Sequence, residues 1–195
     1  MADRLSDPIG RLMGLRYKSH PWHGVFIGKD APMIVTAFIE VVPTDTVKYE
    51  IDKDSGLLKL DRVIYSSFHY PINYGFIPQS YGDDKDPLDI LVLTSLSVQA
   101  LCIIEAKVVG VMQMIDNGDA DDKIIAVATN DPSVNYINNI EELPKHFFLE
   151  LRNFFEEYKK LENKIVKVEE FQDKASALKI VTDALDLYKE TFIHK

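Results

Sequence analysis

Cysteine is almost absent from the sequence, and an excess of positive charge is missing altogether. Cys102 is the only cysteine in 195 residues, which excludes an intramolecular disulfide framework and a cysteine-rich zinc site. The 31 acidic residues outnumber the 22 basic ones and give a formal net charge of −9. General attraction to nucleic acid or to an anionic membrane is therefore not expected.

Long hydrophobic runs are also lacking. The two most apolar stretches, residues 33–42 and 101–114, are too short for a membrane span or carry Glu105 and Lys107. The first residues, MADRLSDPIGRLMG, have no continuous apolar core of the kind a secretory signal needs. We therefore predict a cytoplasmic protein with no membrane partner.

The composition indicates one folded domain. Hydrophobic residues make up 46% of the chain and charged residues 27%, which is ordinary for a globular protein. We predict a single domain over residues 1–195, with an N-terminal arm (1–32), a barrel with its loops (33–143) and helices (144–195). In the arm, His20-Pro21-Trp22-His23 is either a packing anchor or a metal site, and packing is favoured because two histidines beside a tryptophan commonly pack.

The apolar pattern changes from a strand period to a helix period along the chain. Runs rich in β-branched residues predict strands at 33–42, 47–52, 57–68, 88–93, 102–114 and 123–128. Residues 69–82 are broken by proline and glycine and predict a shaped loop, whose tyrosines either pack or point into a site. Helical stripes follow at 144–161 and 174–190. The predicted fold is α+β, a small five-stranded antiparallel closed barrel (OB-like) with two flanking C-terminal helices.

Two acid-rich turns stand out. Residues 81–93, YGDDKDPLDILVL, place four aspartates around Pro87 just before a buried strand, and residues 116–122 form a second acidic turn at a strand end. Such turns are often only solvated, but crowded carboxylates also suit hard divalent cations, and two converging turns would make a multi-metal site. An EF-hand is excluded because Asp89 occupies the glycine position of a loop starting at Asp84.

These motifs carry a resemblance to a known family. The sequence DKDPLD (84–89) matches the D-x-D-P-x-D signature of the family I soluble inorganic pyrophosphatases. It is joined, in the family's order, by KYEIDKDSG (48–56), LDR (60–62), YPINYGF (70–76), the 116–123 turn and FFEEYKKLE (154–162). The resemblance extends over nearly all of residues 36–170.

The resemblance implies an activity and a set of site residues. The activity is hydrolysis of pyrophosphate with several Mg²⁺ ions per site, for which Mn²⁺ or another divalent ion could substitute. Asp86 is expected to be the general base, whereas Asp83 matches no motif position. The implied metal residues are Asp84, Asp89, Asp121, Asp116, Glu50 and Glu40, and the implied substrate-binding residues are Lys48, Arg62, Tyr74, Tyr158, Lys159 and Lys123.

Some positions depart from the family's pattern. Asn117 stands where many bacterial members carry glutamate, which removes a charge beside Asp116. Asn153 and Glu157 stand where hexameric bacterial members often carry interface histidines. We expect a homo-oligomer, a hexamer rather than a dimer. Two other functions stay open at this point: a nucleic-acid-binding barrel, and a metal phosphohydrolase acting on nucleotides.

Overall fold

The computed structural model describes residues 20–193. Its strands are β1 (Ile34–Val41), β2 (Val47–Ile51), β3 (Leu58–Val63), β4 (Asn73–Phe76), β5 (Asp89–Leu93), β6 (Ile103–Asp116), β7 (Asp119–Ala120), β8 (Lys123–Ala128) and β9 (Val166–Gln172). Its helices are α1 (Pro21–Gly24), α2 (Lys145–Glu157) and α3 (Lys174–Phe192), with single 3₁₀ turns at Ile140–Glu142 and Lys160–Glu162. Residues 1–19 of the predicted arm lie outside the described residues, and residues 20–32 include α1.

Five strands form the ring that the sequence predicted. They are hydrogen-bonded in the order β1-β4-β5-β8-β6, and β6 pairs with β1 to close the ring. The predicted α+β barrel is thus confirmed, but its description as wholly antiparallel was wrong, because β5 and β8 run parallel. An odd number of strands cannot alternate in direction all the way round a ring, so one neighbouring pair has to be parallel.

Strand β4 corrects the prediction of a loop over residues 69–82. It lies between β1 and β5, and all four of its residues are buried. Gly75 makes this possible: a Cβ at this position would lie 1.9 Å from the carbonyl oxygen of Phe38 on β1. The glycine that weakened the strand pattern is thus the residue that lets two backbones approach closely.

Strands β2 and β3 form a separate two-stranded hairpin beside the ring. Their register pairs Lys48 with Arg62, with an irregularity between Lys48 and Tyr49. The sequence predicted both strands, and the structure places them outside the ring, whereas β4 lies within it.

Apolar side chains cover both faces of the central strands. Ile125 and Val127 of β8 belong to one cluster, which includes Phe155 of α2, whereas Ile124 and Ala126 belong to a second cluster with α3. Because successive strand residues point to opposite faces, both faces need apolar residues. This explains the uninterrupted sequence IIAVA.

The C-terminal third contains a strand that the sequence interpretation missed. Strand β9 lies between the two predicted helices and pairs with the far half of β6. The alternation of buried Val166 and Val168 with exposed Lys167 and Glu169 was the available signal. The first helix was also predicted too long: α2 ends at Glu157, and Leu161 is 64% exposed.

The described part of the chain, residues 20–193, contains no helix with the length and apolar character needed to cross a bilayer.

Candidate active site

The acidic turn after β4, here called the acid loop (residues 82–89), is closed by its own backbone. Gly82 N donates a hydrogen bond to Asp86 O at 2.7 Å, and Lys85 N donates to Gly82 O at 3.1 Å. Asp86 N also donates to Asp84 Oδ1 at 3.1 Å. Pro87 then leads the chain into β5, which begins at Asp89. The loop therefore holds its four aspartates, Asp83, Asp84, Asp86 and Asp89, on one closed turn of backbone.

The parallel pairing of β5 and β8 brings the second acidic turn to the same end. Asp89 and Lys123, the first residues of the two strands, are direct register partners. The turn that precedes Lys123 therefore lies beside the acid loop, although some thirty residues separate them in sequence. The predicted convergence of the two turns is confirmed.

The predicted site residues surround one polar cleft of about 320 Å³. All of them except Glu40 line this cleft. Glu40 lies in an adjoining cavity of about 50 Å³ that it shares with Glu50, Asp86 and Asp89. The structure thus brings the whole predicted set to one end of the molecule.

A buried ammonium occupies the floor of the cleft. Lys123 Nζ lies 2.5 Å from Asp89 Oδ2 and 2.9 Å from Asp121 Oδ1. Burial by itself would lower the pKa of Lys123, but the Asp89 and Asp121 carboxylates raise it above its ordinary value. Lys123 is therefore a permanent positive charge between two of the predicted metal residues.

Tyr74 supplies a neutral donor at the same place. Its hydroxyl donates to Asp89 Oδ2 at 2.5 Å. Burial, followed by the Asp89 charge, raises the pKa of Tyr74 well above its ordinary value, so the phenol stays protonated. Of the predicted loop's tyrosines, this one points into the site.

Lys159 supplies a second cation to the cleft. Lys159 follows α2 and places its Nζ 2.5 Å from Asp116 Oδ2, at the end of β6. Asn117 Nδ2 donates to the other oxygen, Asp116 Oδ1, at 3.0 Å. Asn117 therefore adds a hydrogen bond to Asp116, where a glutamate would have added a second negative charge.

The β2–β3 hairpin contributes two more cations. Lys48 pairs with Glu50 on the same strand face and lies 3.6 Å from Asp61. Arg62 Nη1 donates to Glu162 Oε2 at 2.6 Å, while its buried Nε has no hydrogen-bond partner within the described residues. Asp61 and Glu162 were not predicted as site residues, although both lie inside the quoted motifs LDR and FFEEYKKLE.

Glu40 differs from the other acids because it is buried. Its carboxylate accepts a hydrogen bond from Ile51 N at 2.7 Å. Burial raises its pKa to about 8, against the opposing effect of that hydrogen bond. Near neutral pH the Glu40 side chain is therefore mostly protonated in this structure.

Lys53 is a further residue that sequence reasoning missed. It lies in the turn between β2 and β3 and forms an ion pair with Asp86, the predicted base. No local pattern marks this lysine, because its partner is more than thirty residues away. Lys164 also lines the cleft, beside Asp116 and Lys159, and was not predicted.

The donor groups of the cleft suit a hard divalent cation. They are carboxylate oxygens, the ligands that Mg²⁺ and Ca²⁺ prefer. Partial burial, together with the Asp89 and Asp121 charges, raises the pKa of Asp84 to about 6, which shows a shortage of positive charge around it. Among residues 20–193, no three acidic, histidine or cysteine side chains lie close enough together to hold one metal ion. The Lys123 ammonium lies between Asp89 and Asp121.

Comparison with known proteins identifies the family. A family model described as inorganic pyrophosphatase matches residues 37–189. The soluble inorganic pyrophosphatase PPA1 of Solanum tuberosum is 47% identical over 194 residues, which cover 99% of this chain and 92% of the potato protein. Soluble inorganic pyrophosphatase 1 of Arabidopsis thaliana is 44% identical with the same coverage of both chains.

Solved structures agree with the sequence comparison. The inorganic pyrophosphatase from Thermus thermophilus superposes with a TM-score of 0.82 at 38% identity, covering 85% of this chain and 97% of that one. The enzyme from Helicobacter pylori superposes with a TM-score of 0.81 at 41% identity, covering 85% of this chain and 98% of that one. The family predicted from the sequence is confirmed: the chain belongs to the inorganic pyrophosphatase family, whose members are divalent-metal-dependent hydrolases.

Proposed function

We propose that this chain hydrolyses inorganic pyrophosphate to two orthophosphates with Mg²⁺ as its metal. The observation that carries the proposal is the cleft itself, in which two acidic turns face a set of lysine, arginine and tyrosine donors. Pyrophosphate is a polyanion, so a site for its hydrolysis needs positive charge for the phosphates and acids to hold the metal. Both kinds of group meet in this cleft.

The metal ions would be held by the aspartates of the two turns. Asp84, Asp89 and Asp121 would be the principal ligands, Asp116 would hold an ion on the substrate side, and Glu50 and Glu40 would contribute as outer acids. The chemistry that the bound ions supply is neutralisation of phosphate charge and a lower pKa for the attacking water. The raised pKa of Asp84 supports this set, because a cation beside it would supply the charge that it lacks.

Asp86 would accept the proton of the attacking water. It lies in the acid loop between Asp84 and Asp89, and its side chain is 46% exposed towards the cleft region. Its carboxylate forms an ion pair with the Lys53 ammonium at the edge of the cleft. It is therefore the acid best placed to move a proton rather than only to hold an ion.

The cations and phenols would bind the two phosphates. Arg62 retains a buried Nε that lacks a hydrogen-bond partner among the described residues, so it has an N–H still available for a phosphate oxygen. Lys48, Tyr158 and Lys159 line the same cleft, and Tyr74 adds a donor without adding charge. Lys123 would act from the floor, by holding Asp89 and Asp121 in place.

Assembly and location remain proposals made on the sequence alone. We propose a hexamer in preference to a dimer, and a cytoplasmic location. Asn153 and Glu157, at the positions where bacterial hexamers often carry histidines, lie on α2, and Asn153 is exposed. Sedimentation of the purified full chain would decide the assembly.

The test of the function is phosphate release from pyrophosphate by the purified full chain, with Mg²⁺ and after chelation. We expect rapid release with Mg²⁺, none with chelator, and much slower release from ATP. Release from ATP as fast as from pyrophosphate would favour a nucleotide phosphohydrolase instead. No Mg²⁺-dependent release from either compound would overturn the proposal.

A further inference from the structure

The HPWH segment (residues 20–23) is the one sequence motif that the proposed function does not use. Trp22, the only tryptophan of the chain, is 4% exposed. Its ring centroid lies 5.9 Å from that of Tyr81, 6.5 Å from that of Tyr188 and 5.5 Å from that of Phe192. The predicted packing role is therefore confirmed, but the partners of this packing include the residue immediately before the acid loop.

Hydrogen bonds tie Trp22 to the start of that loop. Trp22 Nε1 donates to Ser80 O at 2.8 Å, and Gln79 N donates to Trp22 O at 2.9 Å. These two bonds join Trp22 to Gln79 and Ser80, the two residues that precede Tyr81. The segment thus fixes the backbone of residues 79 and 80, just before the acid loop begins.

Ser80 links the start of the acid loop to its end at Leu88. Its fully buried hydroxyl accepts a hydrogen bond from Leu88 N at 2.8 Å and donates to Ile77 O at 2.6 Å. The loop from Tyr81 to Pro87 is therefore closed at its base by one side chain. Tyr81 N adds a bond to Ala184 O of α3 at 2.9 Å.

The same segment contacts the partner of the predicted base. A ring nitrogen of His20 lies 3.1 Å from Lys53 O, and the Lys53 ammonium pairs with Asp86. The His20 ring also packs over Gly56, where a Cβ would lie 2.8 Å from His20 Cδ2. Both sides of the Lys53–Asp86 pair are thus held by residues 20–23, Lys53 through His20 and the acid loop through Trp22.

We propose that the HPWH segment is a brace for the acid loop and that Trp22 is a positioning residue for its metal-binding carboxylates. This inference rests on the proposed function, which makes those carboxylates the metal ligands. Trp22 does not line the cleft, so its effect passes through Ser80 and the loop. A loop closed before the metal arrives loses less conformational freedom on binding it, which raises the affinity.

The substitution Trp22→Phe tests the brace. It keeps an aromatic ring in the cluster but removes the Nε1–H that donates to Ser80 O, together with part of the ring volume of the indole. We expect amide exchange of residues 79–89 in the metal-free protein to become faster, with β6 and β8 unchanged. We also expect Mg²⁺ affinity, measured by calorimetry, to fall about tenfold, the lower end of what outer-shell substitutions at metal sites cost.

The matched control is Phe148→Leu, which removes an aromatic contact far from the loop. Phe148 packs edge-on against Phe171 at 5.0 Å between α2 and β9. If its Tm falls by about as much as that of Trp22→Phe, this variant should still show the parent's amide-exchange rates in residues 79–89 and the parent's Mg²⁺ affinity. An equal loss of affinity in this control would show a general effect of stability and would overturn the proposal.

Trp22→Phe must change both the Mg²⁺ affinity and the amide exchange of residues 79–89. If either one equals that of the parent protein, the proposal is wrong. If Trp22→Phe does not fold, replacing Trp22, the only tryptophan of the chain, with 3-benzothienylalanine must give the same two changes, because this isostere keeps the ring size and carries sulfur in place of the N–H. Neither readout requires turnover. A parental protein that does not hydrolyse pyrophosphate would therefore defeat the proposed function while the brace is still tested.

Discussion

Lys123 Nζ lies 2.5 Å from Asp89 Oδ2, and these two residues are also register partners at the start of two parallel strands. The pair joins the acid loop to the second acidic turn, because Lys123 also contacts Asp121 at 2.9 Å. In a cleft so rich in acids, this ammonium provides positive charge to the apoprotein.

Lys123→Met should therefore destabilise the metal-free protein by about 3 kcal/mol, the cost of leaving two partly buried carboxylates without their buried partner. Mg²⁺ should restore more stability to this variant than to the parent, because a cation replaces the lost charge. Urea unfolding with and without Mg²⁺ measures both effects. An equal gain from Mg²⁺ in parent and variant would contradict the assignment of Asp89 and Asp121 as ligands.

Asp86→Asn should lower kcat at least about a hundredfold, the usual contribution of a general base. The Mg²⁺ concentration for half-maximal rate should change little, since Asp84 and Asp89 remain. Asp83→Asn is the control, because Asp83 is exposed in the same loop and is expected to keep the parental rate. Parental turnover by Asp86→Asn would show that another group accepts the proton.

Glu40→Gln should remove part of the pH dependence of stability in the metal-free protein. Glu40 has a folded pKa of about 8, above its ordinary value of 4.5, so between these values the folded state binds the extra proton. The contribution of Glu40 to the free energy of unfolding is fully present below pH 4.5. It falls as the pH rises towards 8, by up to about 1.4 kcal/mol per pH unit. Parallel pH–stability curves for parent and Glu40→Gln would refute the buried, protonated state.

Asn117→Glu should strengthen metal binding on the side of Asp116. The new carboxylate replaces an amide that donates to Asp116 Oδ1 at 3.0 Å, and so adds negative charge there. We expect the Mg²⁺ concentration for half-maximal rate to fall about threefold, the modest effect of one partly screened charge. Asn117→Ala removes the same hydrogen bond without adding charge and should not lower that concentration.

Gly75→Ala should destabilise the protein by about 3 kcal/mol or more, at the upper end of overpacking costs. Its Cβ would lie 1.9 Å from Phe38 O, so β1 and β4 would have to separate. Gly118→Ala is the comparison: nothing lies within 4 Å of its Cβ, and only its positive φ of 102° opposes the change. Chemical unfolding of both variants would show which lowers the free energy of unfolding more: a side chain between β1 and β4, or a non-glycine residue at a positive φ.

Features that depend on short spacings could be predicted from the amino-acid sequence. The acid loop, its continuation into β5, the apolar run of β8 and the stripe of α2 can each be recognised within about fifteen residues. The family resemblance extended this to the site, and every residue that it named lies at one end of the barrel.

Features that depend on partners distant in sequence became visible in the folded chain. The parallel pairing of β5 with β8, the strand at Gly75 and the contact of Lys53 with Asp86 each involve groups remote in sequence. Local pattern reports which residues are apolar and which are charged, but not which backbone lies opposite a glycine or which carboxylate a lysine reaches. Trp22 shows the difference: sequence predicted that it packs, and the fold decided that it packs against the acid loop.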